Sequence, residues 1–451
     1  QQWAFFPSVS GGWRVSEEAF WKVNPDLFSN LKIRASYGSL GNGNVSPYSF
    51  LELLNINTSG RVLNGLKNKY TSAPAVMPDG LTWETATTTD VGLDFGMLNN
   101  RLQFNGDYYI RKTTDMYTVG KTLPDVFGAS SPKGNYADMT TKGWEITLTW
   151  RDQFTLAEKP FNYEIRGTLS DYISTIDRYN NQTGNLDDYY AGKRVGEIWG
   201  YVTEGLFKDQ ADIDSHADQT LIQSSSKRIT YPGDVKIKDL NGDHVIDYGN
   251  NTVDDHGDKT VIGNALPRYA YSINLSGDWN NFFLSAFFQG VGKQDWYPSS
   301  ECIFWGQYNR PYNNMPTWHQ GNYWTEDNTD AYLPRYAGYN ASLKSTPQTR
   351  YLQNVAYIRL KNLQFGYTLP QPIVSKAKLQ NVRVYISAEN LWCWSPLYKH
   401  TRDLDVTNIY GSDPDLTDAD MSSGLNGNRG SGDGNSYPQM KSVSLGLSVT
   451  F

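Results

Sequence analysis

The last nine residues of the chain alternate strictly between two kinds of side chain. Apolar residues stand at every second position, and small or polar residues lie between them. The apolar positions are Val443, Leu445, Leu447, Val449 and Phe451. Because a β-strand turns successive side chains to opposite faces, this pattern predicts a strand with one apolar and one polar face. A chain built from many such strands folds into sheets with two unlike faces.

The same alternation recurs along the whole chain and predicts about eleven strands. Their expected ranges are 4–14, 31–40, 86–97, 101–113, 140–152, 161–177, 266–279, 281–292, 351–368, 381–390 and 437–451. In the ninth range the alternation slips at Lys361 and Asn362, which predicts a β-bulge at that point. The predicted fold class is therefore all-β.

Composition favours strands over helices. Aromatic residues make up 14% of the 451 residues and 40 residues are Gly, a combination that suits strands and turns. No apolar run approaches the roughly 20 residues that a membrane helix needs. A strand of a membrane barrel needs only about ten residues with every second one apolar, so the absence of such a run does not exclude a membrane protein.

Charge and reactive side chains exclude several other classes of protein. The net charge of -7 argues against a nucleic-acid partner, which normally requires a basic surplus. The two cysteines, Cys302 and Cys393, are too few for a disulfide framework and too far apart for a metal knuckle. The five histidines are scattered through separate predicted loops without ligand spacing. The sequence therefore predicts no catalytic site and no enzyme.

The predicted connections alternate between short and long. The long ones are 41–85, 114–139, 178–265, 293–350 and 391–436. A half-buried sheet in a soluble protein remains an alternative for any single strand. Outer-membrane barrels, however, have short periplasmic turns and long external loops. The sequence thus predicts a transmembrane antiparallel β-barrel with Phe451 at the periplasmic side. Since bacterial barrels have an even number of strands, an odd number here predicts that other strands complete it.

Several motifs resemble those of the SusC/RagA family of TonB-dependent outer-membrane transporters, and they follow one another in the family's order. The motifs are Phe5 to Ser10 with Gly12-Trp13-Arg14, Leu81 to Glu84 followed by Val91 to Phe95, Lys142 to Glu145, Gly200-Tyr201 with Glu204 to Phe207, Tyr357 to Asn362, Glu389 to Leu391, and the closing strand that ends at Phe451. The resemblance spans the whole chain.

The resemblance implies a barrel of roughly 22 strands, of which residues 1–451 supply about the last eleven as the C-terminal half. It also implies a plug and a TonB contact in a missing N-terminal region, and a SusD-like surface lipoprotein that acts as a lid. The expected location is the outer membrane of a Gram-negative bacterium. The expected function is import of oligosaccharides. Peptide cargo is one alternative, and a soluble all-β glycan-binding protein is another.

An acidic segment carries oxygen-bearing side chains at every second position, as a looped cation site requires. The candidate metal ligands are Asp239, Asn241, Asp243, the main-chain carbonyl of Val245, and Asp247. Two departures from the EF-hand pattern are His244, where that loop has Gly, and Asn250, where it has Glu. The sequence leaves two interpretations open, a Ca²⁺ site that braces an external loop and a metal-free acidic turn.

Aromatic side chains crowd the two predicted loops nearest the C-terminus. Because flat rings stack well on sugar rings, these residues are predicted to bind substrate. The candidates are Trp305, Tyr308, Trp318, Trp324, Trp392 and Trp394. The alternative is that the rings form the loops' own core or contact the lid lipoprotein. By contrast, Tyr108, Trp144 and Trp150 are predicted to face lipid near the membrane interface.

Overall fold

One antiparallel sheet of eleven strands forms the centre of the protein. The computed structural model describes residues 3–43, 51, 54, 56–72, 76, 80–120, 126, 131–223, 229–298, 302–308, 313–337, 346–407, 409 and 439–451. The strands of the large sheet are β1 Ser8–Trp13, β2 Phe28–Asn42, β3 Glu84–Met97, β4 Leu102–Val119, β5 Lys133–Leu156, β6 Lys159–Arg178, β7 Arg268–Trp279, β8 Phe282–Lys293, β9 Tyr357–Thr368, β10 Asn381–Trp394 and β11 Ser442–Thr450. All eleven predicted strands are confirmed.

Each strand pairs with the strand before it and the strand after it in the chain. This order is a meander, in which every connection joins neighbouring strands. Within the described residues, β1 pairs only with β2 and β11 pairs only with β10. The two outer strands therefore present unpaired backbone N–H and C=O groups, which would need further strands as partners in a membrane.

The two faces of the sheet differ in chemistry across the strand pairs. Leu148 of β5 lies opposite Phe104 of β4, and Phe104 stacks on Phe95 of β3 with ring centroids 4.7 Å apart. Leu148 is 45% exposed and Leu445 of β11 is 78% exposed. A continuous exposed apolar face of this extent marks contact with lipid, so we call it the outer face. The opposite, polar face is the inner face.

Aromatic side chains of the outer face gather at two levels. Near the short turns, Phe154 stacks on Phe161 with ring centroids 5.0 Å apart. Near the long loops, Trp144 lies opposite Tyr108 in the register of β5 and β4. The ten residue steps from Trp144 to Phe154 span about 25 Å along the barrel axis, at about 3.3 Å per residue and a strand tilt of about 40°. That length equals the height of the apolar band of an outer-membrane barrel.

The short turns are tight hairpins with left-handed backbone. Asn280 and Asn281 have φ angles of 46° and 70°, as the two central residues of a type I′ turn require. Asn tolerates this conformation better than most residues because its short side chain bonds locally to the backbone. A longer connection at the same end contains an α-helix, Gln371–Val374, and a 3-10 helix, Ser375–Ala377.

Several strands extend further toward the long loops than predicted. β4 continues to Val119 rather than 113, β5 begins at Lys133 rather than 140, and β10 continues to Trp394 rather than 390. In β4 and β5 the ladder of hydrogen bonds continues above the membrane band without any need for an apolar face, so the alternation fades before the strand ends. In β10 a register shift near Asn390 interrupts the alternation. The predicted β-bulge is confirmed, because the registers of β9 with both neighbours skip Lys361.

The described parts of the long connections at 179–267, 294–356 and 395–409 pack together, and we call them the cap. Its strands are Glu197–Tyr201, Thr203–Leu206, Val235–Ile237, Lys259–Asn264, Asp295–Trp296, Tyr323–Trp324, Leu333–Arg335 and Gln353–Asn354, and its helices are Gln210–Asp214, Thr220–Ile222, Ile303–Tyr308, Thr317–His319 and Pro396–Lys399. The ninth strand was predicted to begin at 351, but Tyr351 and Val355 are core residues of the cap.

Other elements are short and lie outside the sheet and the cap. They are the hairpin Ile56–Leu63 and Leu66–Thr71 and the 3-10 helix Val15–Glu17. The predicted connection 391–436 lies outside the described residues from 410 onward. In the part of the chain that the structure describes, no helix has the length and apolar character to span a membrane.

A charge placed on the outer face should destabilise the protein far more than the same charge on the inner face. In the full-length protein, Leu148→Arg should lower the free energy of unfolding by about 2–4 kcal/mol, because it places a cation in the apolar band. Thr147→Arg lies next to it on the inner face and should change it by less than about 1 kcal/mol. Urea unfolding in lipid vesicles measures both. Equal effects would contradict the assignment of the faces.

Candidate functional site: the inner face and the cap

A charged cluster lies on the inner face of β2, β3 and β4. Arg34 donates from Nε and Nη2 to the carboxylate of Asp94 at 2.8 and 2.9 Å. Its Nη1 lies 2.9 Å from Oδ1 of Asp107, and its Nη2 donates to Oδ2 of the same residue at 3.1 Å. One guanidinium thus bridges two carboxylates across three strands, which leaves a net charge of -1 at this point of the wall.

Gly92 makes room for this cluster. A Cβ at this position would lie 2.3 Å from Oδ1 of Asp107 and 2.7 Å from Cζ of Arg34. The Val91 to Phe95 motif therefore combines three outward apolar residues with the glycine and carboxylate of the inner cluster. The sequence alone did not identify this contact, because the partners of Arg34 lie 60 and 73 residues away from it.

The cap has a hydrophobic core of its own, rich in aromatic rings. Its buried members are Tyr201, Leu206, Ile222, Val235, Ile237, Ile246, Trp296, Cys302, Phe304, Trp305, Tyr308, Leu333, Tyr351, Val355, Leu397, Leu404, Val406 and Ile409. Phe304 and Trp305 meet edge to face at 5.2 Å, and Trp305 meets Tyr351 in the same way at 5.2 Å. Such packing makes three separate connections into one folded body, since each contributes residues to the same core.

A buried ion pair ties the cap to the sheet. Arg359 of β9 donates from Nη2 to Oδ1 of Asp405 in the cap at 2.7 Å. Their side chains are only 5% and 6% exposed. Gln439 donates its backbone N–H to the other oxygen of Asp405 at 2.9 Å. This contact gives a structural reason for the Arg in the Tyr357 to Asn362 motif, which the sequence alone did not supply.

His319 is completely buried among the aromatic rings of the cap. Its Nε2 lies 2.9 Å from the carbonyl oxygen of Phe304, and its ring meets that of Trp318 at 4.2 Å. Burial lowers the pKa of His319 to about 4, and the bond to the Phe304 carbonyl opposes that shift. The neutral ring is therefore the form that the folded cap accommodates at neutral pH.

Two of the predicted substrate-binding residues are core residues of the cap. Trp305 and Tyr308 have 0% exposed surface. Trp305 donates its indole N–H to the carbonyl of Pro298 at 3.2 Å, and Tyr308 donates its hydroxyl to the carbonyl of Pro334 at 2.7 Å. A ring without exposed surface has no face for a ligand, so direct contact with cargo is corrected to a packing role in this structure.

Two further candidates lie on the outer face rather than in a loop. Trp392 pairs with Leu360 and Trp394 pairs with Ile358 at the end of β10. Both indole rings are about half exposed. They share the apolar face and lie near the long loops, which is where interfacial tryptophans of a barrel are found. The predicted loop position of these two residues is therefore wrong, because the strand continues to Trp394.

Trp318 and Trp324 keep partly accessible rings in the cap. Trp318 packs against Phe304 at 5.0 Å and against His400 at 5.5 Å, so core residues hold its orientation. Trp324 lies in the short strand Tyr323–Trp324. The structure thus separates the six predicted residues into two buried, two partly exposed in the cap, and two on the outer face. Cargo contact stays a prediction for Trp318 and Trp324.

The predicted acidic loop is closed by its own backbone. Asp239 accepts hydrogen bonds from the N–H groups of Gly242 and His244 at 2.6 and 2.9 Å. Asn241 donates its side-chain amide to Asp243 at 2.9 Å. Among the described residues, no group of three or more His, Cys, Asp or Glu side chains can hold a metal ion. Ca²⁺ binding by Asp239, Asn241, Asp243, the Val245 carbonyl and Asp247 stays a prediction.

The chain is similar along its whole length to curated receptors. TonB-dependent receptor P3 of Formosa agariphila is 29% identical over 474 residues, covering 100% of this chain and 42% of the relative. TonB-dependent receptor SusC of Bacteroides thetaiotaomicron is 23% identical over 465 residues, covering 100% of this chain and 40% of the relative. Over its whole length the chain thus resembles the barrel part of SusC/RagA-type TonB-dependent receptors. No family model matches it.

Solved structures support the fold of this SusC/RagA-like barrel segment. The RagAB peptide importer in its "closed-closed" state matches with a TM-score of 0.68 at 19% identity, over 99% of this chain and 44% of that chain. Its "open-open" state matches with a TM-score of 0.67 over 99% and 43%. The chain therefore spans less than half of the proteins it matches. The curated relatives are named as receptors and not as enzymes.

Acidification should loosen the cap through His319. Its pKa is about 4 in the folded cap against 6.5 ordinarily, so the folded state resists protonation. The free energy of unfolding of the cap should have its full value above pH 6.5. It should fall as the pH drops toward 4, by up to about 3 kcal/mol. Hydrogen exchange of the cap in the full-length protein measures this loss. His319→Gln keeps a donor for the Phe304 carbonyl but does not titrate, so this variant should lose the pH dependence. A pH profile identical to that of the unmodified protein would contradict the assignment to His319.

Equilibrium dialysis with Ca²⁺ tests the acidic loop. The prediction from the sequence is that the full-length protein binds one ion there at millimolar Ca²⁺ or below, because Asp239 and Asp243 supply hard oxygen ligands. Asp239→Asn with Asp243→Asn should abolish that binding. Asp254→Asn with Asp255→Asn is the matched control. Absence of binding at millimolar Ca²⁺ would show that the loop is a metal-free turn.

Proposed function

We propose that this chain forms part of the wall and the external cap of an outer-membrane importer that takes up nutrients with energy supplied through TonB. The observation that carries the proposal is a sheet of eleven strands with an apolar outer face and a charged inner face, in a chain that matches TonB-dependent receptors over its whole length. A soluble glycan-binding protein would have to bury that apolar face. In this proposal, strands of the same protein complete both edges of the sheet.

The long-loop end then faces the outside of the cell, and the cap covers it. A surface lipoprotein of the SusD type is proposed as the lid over this cap. The similarity to SusC and to the RagAB importer supports a partner of this kind. Contact with TonB is assigned to a part of the protein outside this chain.

The proposed cargo is an oligosaccharide. Trp318 and Trp324 offer accessible ring surface in the cap, and aromatic rings suit the apolar faces of sugars. Tyr336 is a further exposed ring of the cap, which packs on Tyr308 at 5.1 Å and donates its hydroxyl to Gln307 at 2.8 Å. Hydroxyl and amide groups beside exposed rings are the donors and acceptors that sugar hydroxyls require.

A peptide is the second candidate cargo. The observation that favours it is the structural similarity to the RagAB peptide importer. The inner face also carries fixed charges, including the Arg34 cluster and the ion pair of Arg151 with Glu164 at 2.5 Å. Such charges interact with the termini and side chains of peptides more strongly than with neutral sugars.

Binding of cargo by the full-length protein with its lid tests the proposal. Trp318→Ala or Trp324→Ala should weaken oligosaccharide binding by roughly tenfold or more, because loss of one stacking ring costs about 1–2 kcal/mol. Trp392→Ala makes the same chemical change on the outer face and should leave affinity unchanged. Calorimetry with a panel of neutral oligosaccharides and a panel of short peptides measures the affinities.

Uptake by cells gives the second part of the test. Uptake of the bound cargo should be lost in cells without TonB, and it should persist with the Trp392→Ala variant. Binding of peptides with no binding of any oligosaccharide would contradict the glycan assignment and favour the second candidate. Uptake that continues at the same rate without TonB would contradict the importer proposal itself.

A further inference from the structure

The outer face of β4, β5 and β6 carries an open groove of about 700 Å³ near the long-loop end. Its floor is apolar, with Ile110, Trp144 and Ile173 among the lining residues. Its upper rim is basic. The basic lining residues are Lys112, Lys142 and Arg194.

Strand register places the three basic residues at the same end of the groove. Thr140 of β5 lies opposite Lys112 of β4 on one side and opposite Thr175 of β6 on the other. Thr175 in turn forms a bridge with Arg194. Lys112 and Arg194 therefore lie at the same height on the sheet, with Thr140 of β5 and Thr175 of β6 between them.

Lys142 stands two positions below Thr140 on the same face, opposite Ile110 and Ile173. Diagonal neighbours of this kind lie about 7–8 Å apart, within reach of long side chains. Two positions further down, Trp144 lies opposite Tyr108 and begins the aromatic level of the apolar band. The basic residues thus lie just above the apolar band, at the level of lipid headgroups.

Among the residues that the structure describes, the basic side chains of the groove have no counter-ion. Lys112, Lys142 and Arg194 are exposed and, among the described residues, form no ion pair. Of the two carboxylates in the groove, Asp171 is held by the guanidinium of Arg268 through both of its oxygens. Asp177 accepts a bond from the hydroxyl of Thr140 at 2.5 Å. Among the described residues, the groove therefore holds three cations and one carboxylate that has no cationic partner, namely that of Asp177.

We propose that this groove binds the phosphate headgroup of a lipid in the outer leaflet, with an acyl chain along the apolar floor. This inference rests on the proposed outer-membrane location and on neither the cargo nor TonB. Phosphate is the group that a convergent set of Lys and Arg side chains recognises. A neutral headgroup would leave three like charges unbalanced, and a soluble anion would gain nothing from the apolar floor beneath.

Retention of lipid by the full-length protein tests the proposal. The protein is incubated in detergent with bisphosphorylated lipid A, with its dephosphorylated form, or with inorganic phosphate, and bound molecules are counted by native mass spectrometry. The triple variant Lys112→Gln, Lys142→Gln, Arg194→Gln should bind lipid A roughly 100-fold more weakly, since each cation near a membrane surface contributes about fivefold.

The matched control removes three exposed cations from the hairpin Ile56–Leu63 and Leu66–Thr71, which belongs to another long connection. Arg61→Gln, Lys67→Gln and Lys69→Gln should leave lipid A binding unchanged. Lys112→Arg with Lys142→Arg keeps the charge and should retain it. Heat-resistant migration of each barrel on a gel confirms folding, and cargo uptake is measured separately in the same cells.

Each outcome decides the proposal. Binding of lipid A that falls in the triple variant, and is weak for the dephosphorylated form, supports it. Equal binding of both lipid forms, equal binding by the triple variant, or binding of inorganic phosphate as tightly as of lipid A would overturn it. Loss of cargo uptake with intact lipid binding would count against the proposed import function alone.

Discussion

The structure depends on one constraint, which is that backbone groups in lipid find no water to bond with. Every strand must pair along its full membrane length, and the ladder of β5 with β6 runs without interruption from Met139 to Leu156. A continuous ladder fixes the direction of each side chain, so neighbouring strands must keep the same phase of alternation. Because the phase is shared, the apolar side chains of all strands meet lipid on the outer face, and the charged side chains of the Arg34 cluster meet on the inner face. Because consecutive strands of the meander run in opposite directions, alternate connections lie at opposite ends. The short turns therefore share one end and the long connections the other.

The cap satisfies a different requirement. Long connections outside the membrane are surrounded by water, so they need a core of their own to stay ordered. Rings from three connections supply that core, and the buried pair of Arg359 and Asp405 attaches it to the sheet. The aromatic residues therefore divide by environment. Those at the centre of the cap stabilise it, those at its surface remain available to a ligand, and Trp392 and Trp394 face the membrane.

Much of the fold was predictable from the sequence because period-two alternation is a local signal. All eleven strands and the bulge at Lys361 were found in this way, and errors lay at strand ends, where Thr-rich and Asp-rich segments above the membrane continue the ladder without an apolar face. The site was less predictable. Trp305 and Trp318 lie in the same predicted loop, and nothing in the local sequence distinguishes them. Only tertiary packing decides that one ring is buried and the other partly exposed. The partners of Arg34 and the row from Lys112 to Arg194 depend on register between strands, which no single segment reveals.

The central claim is that this chain is a barrel wall with lipid on one face and the interior of the barrel on the other. Nitroxide labels placed one at a time from Trp144 to Phe154, in full-length protein with Cys302 and Cys393 replaced by Ala, test it directly in a bilayer. The collision rate with oxygen, which concentrates in lipid, should peak at Trp144, Ile146 and Leu148 and fall at Glu145 and Thr147. A profile without this period of two, or with the opposite phase, would contradict the account.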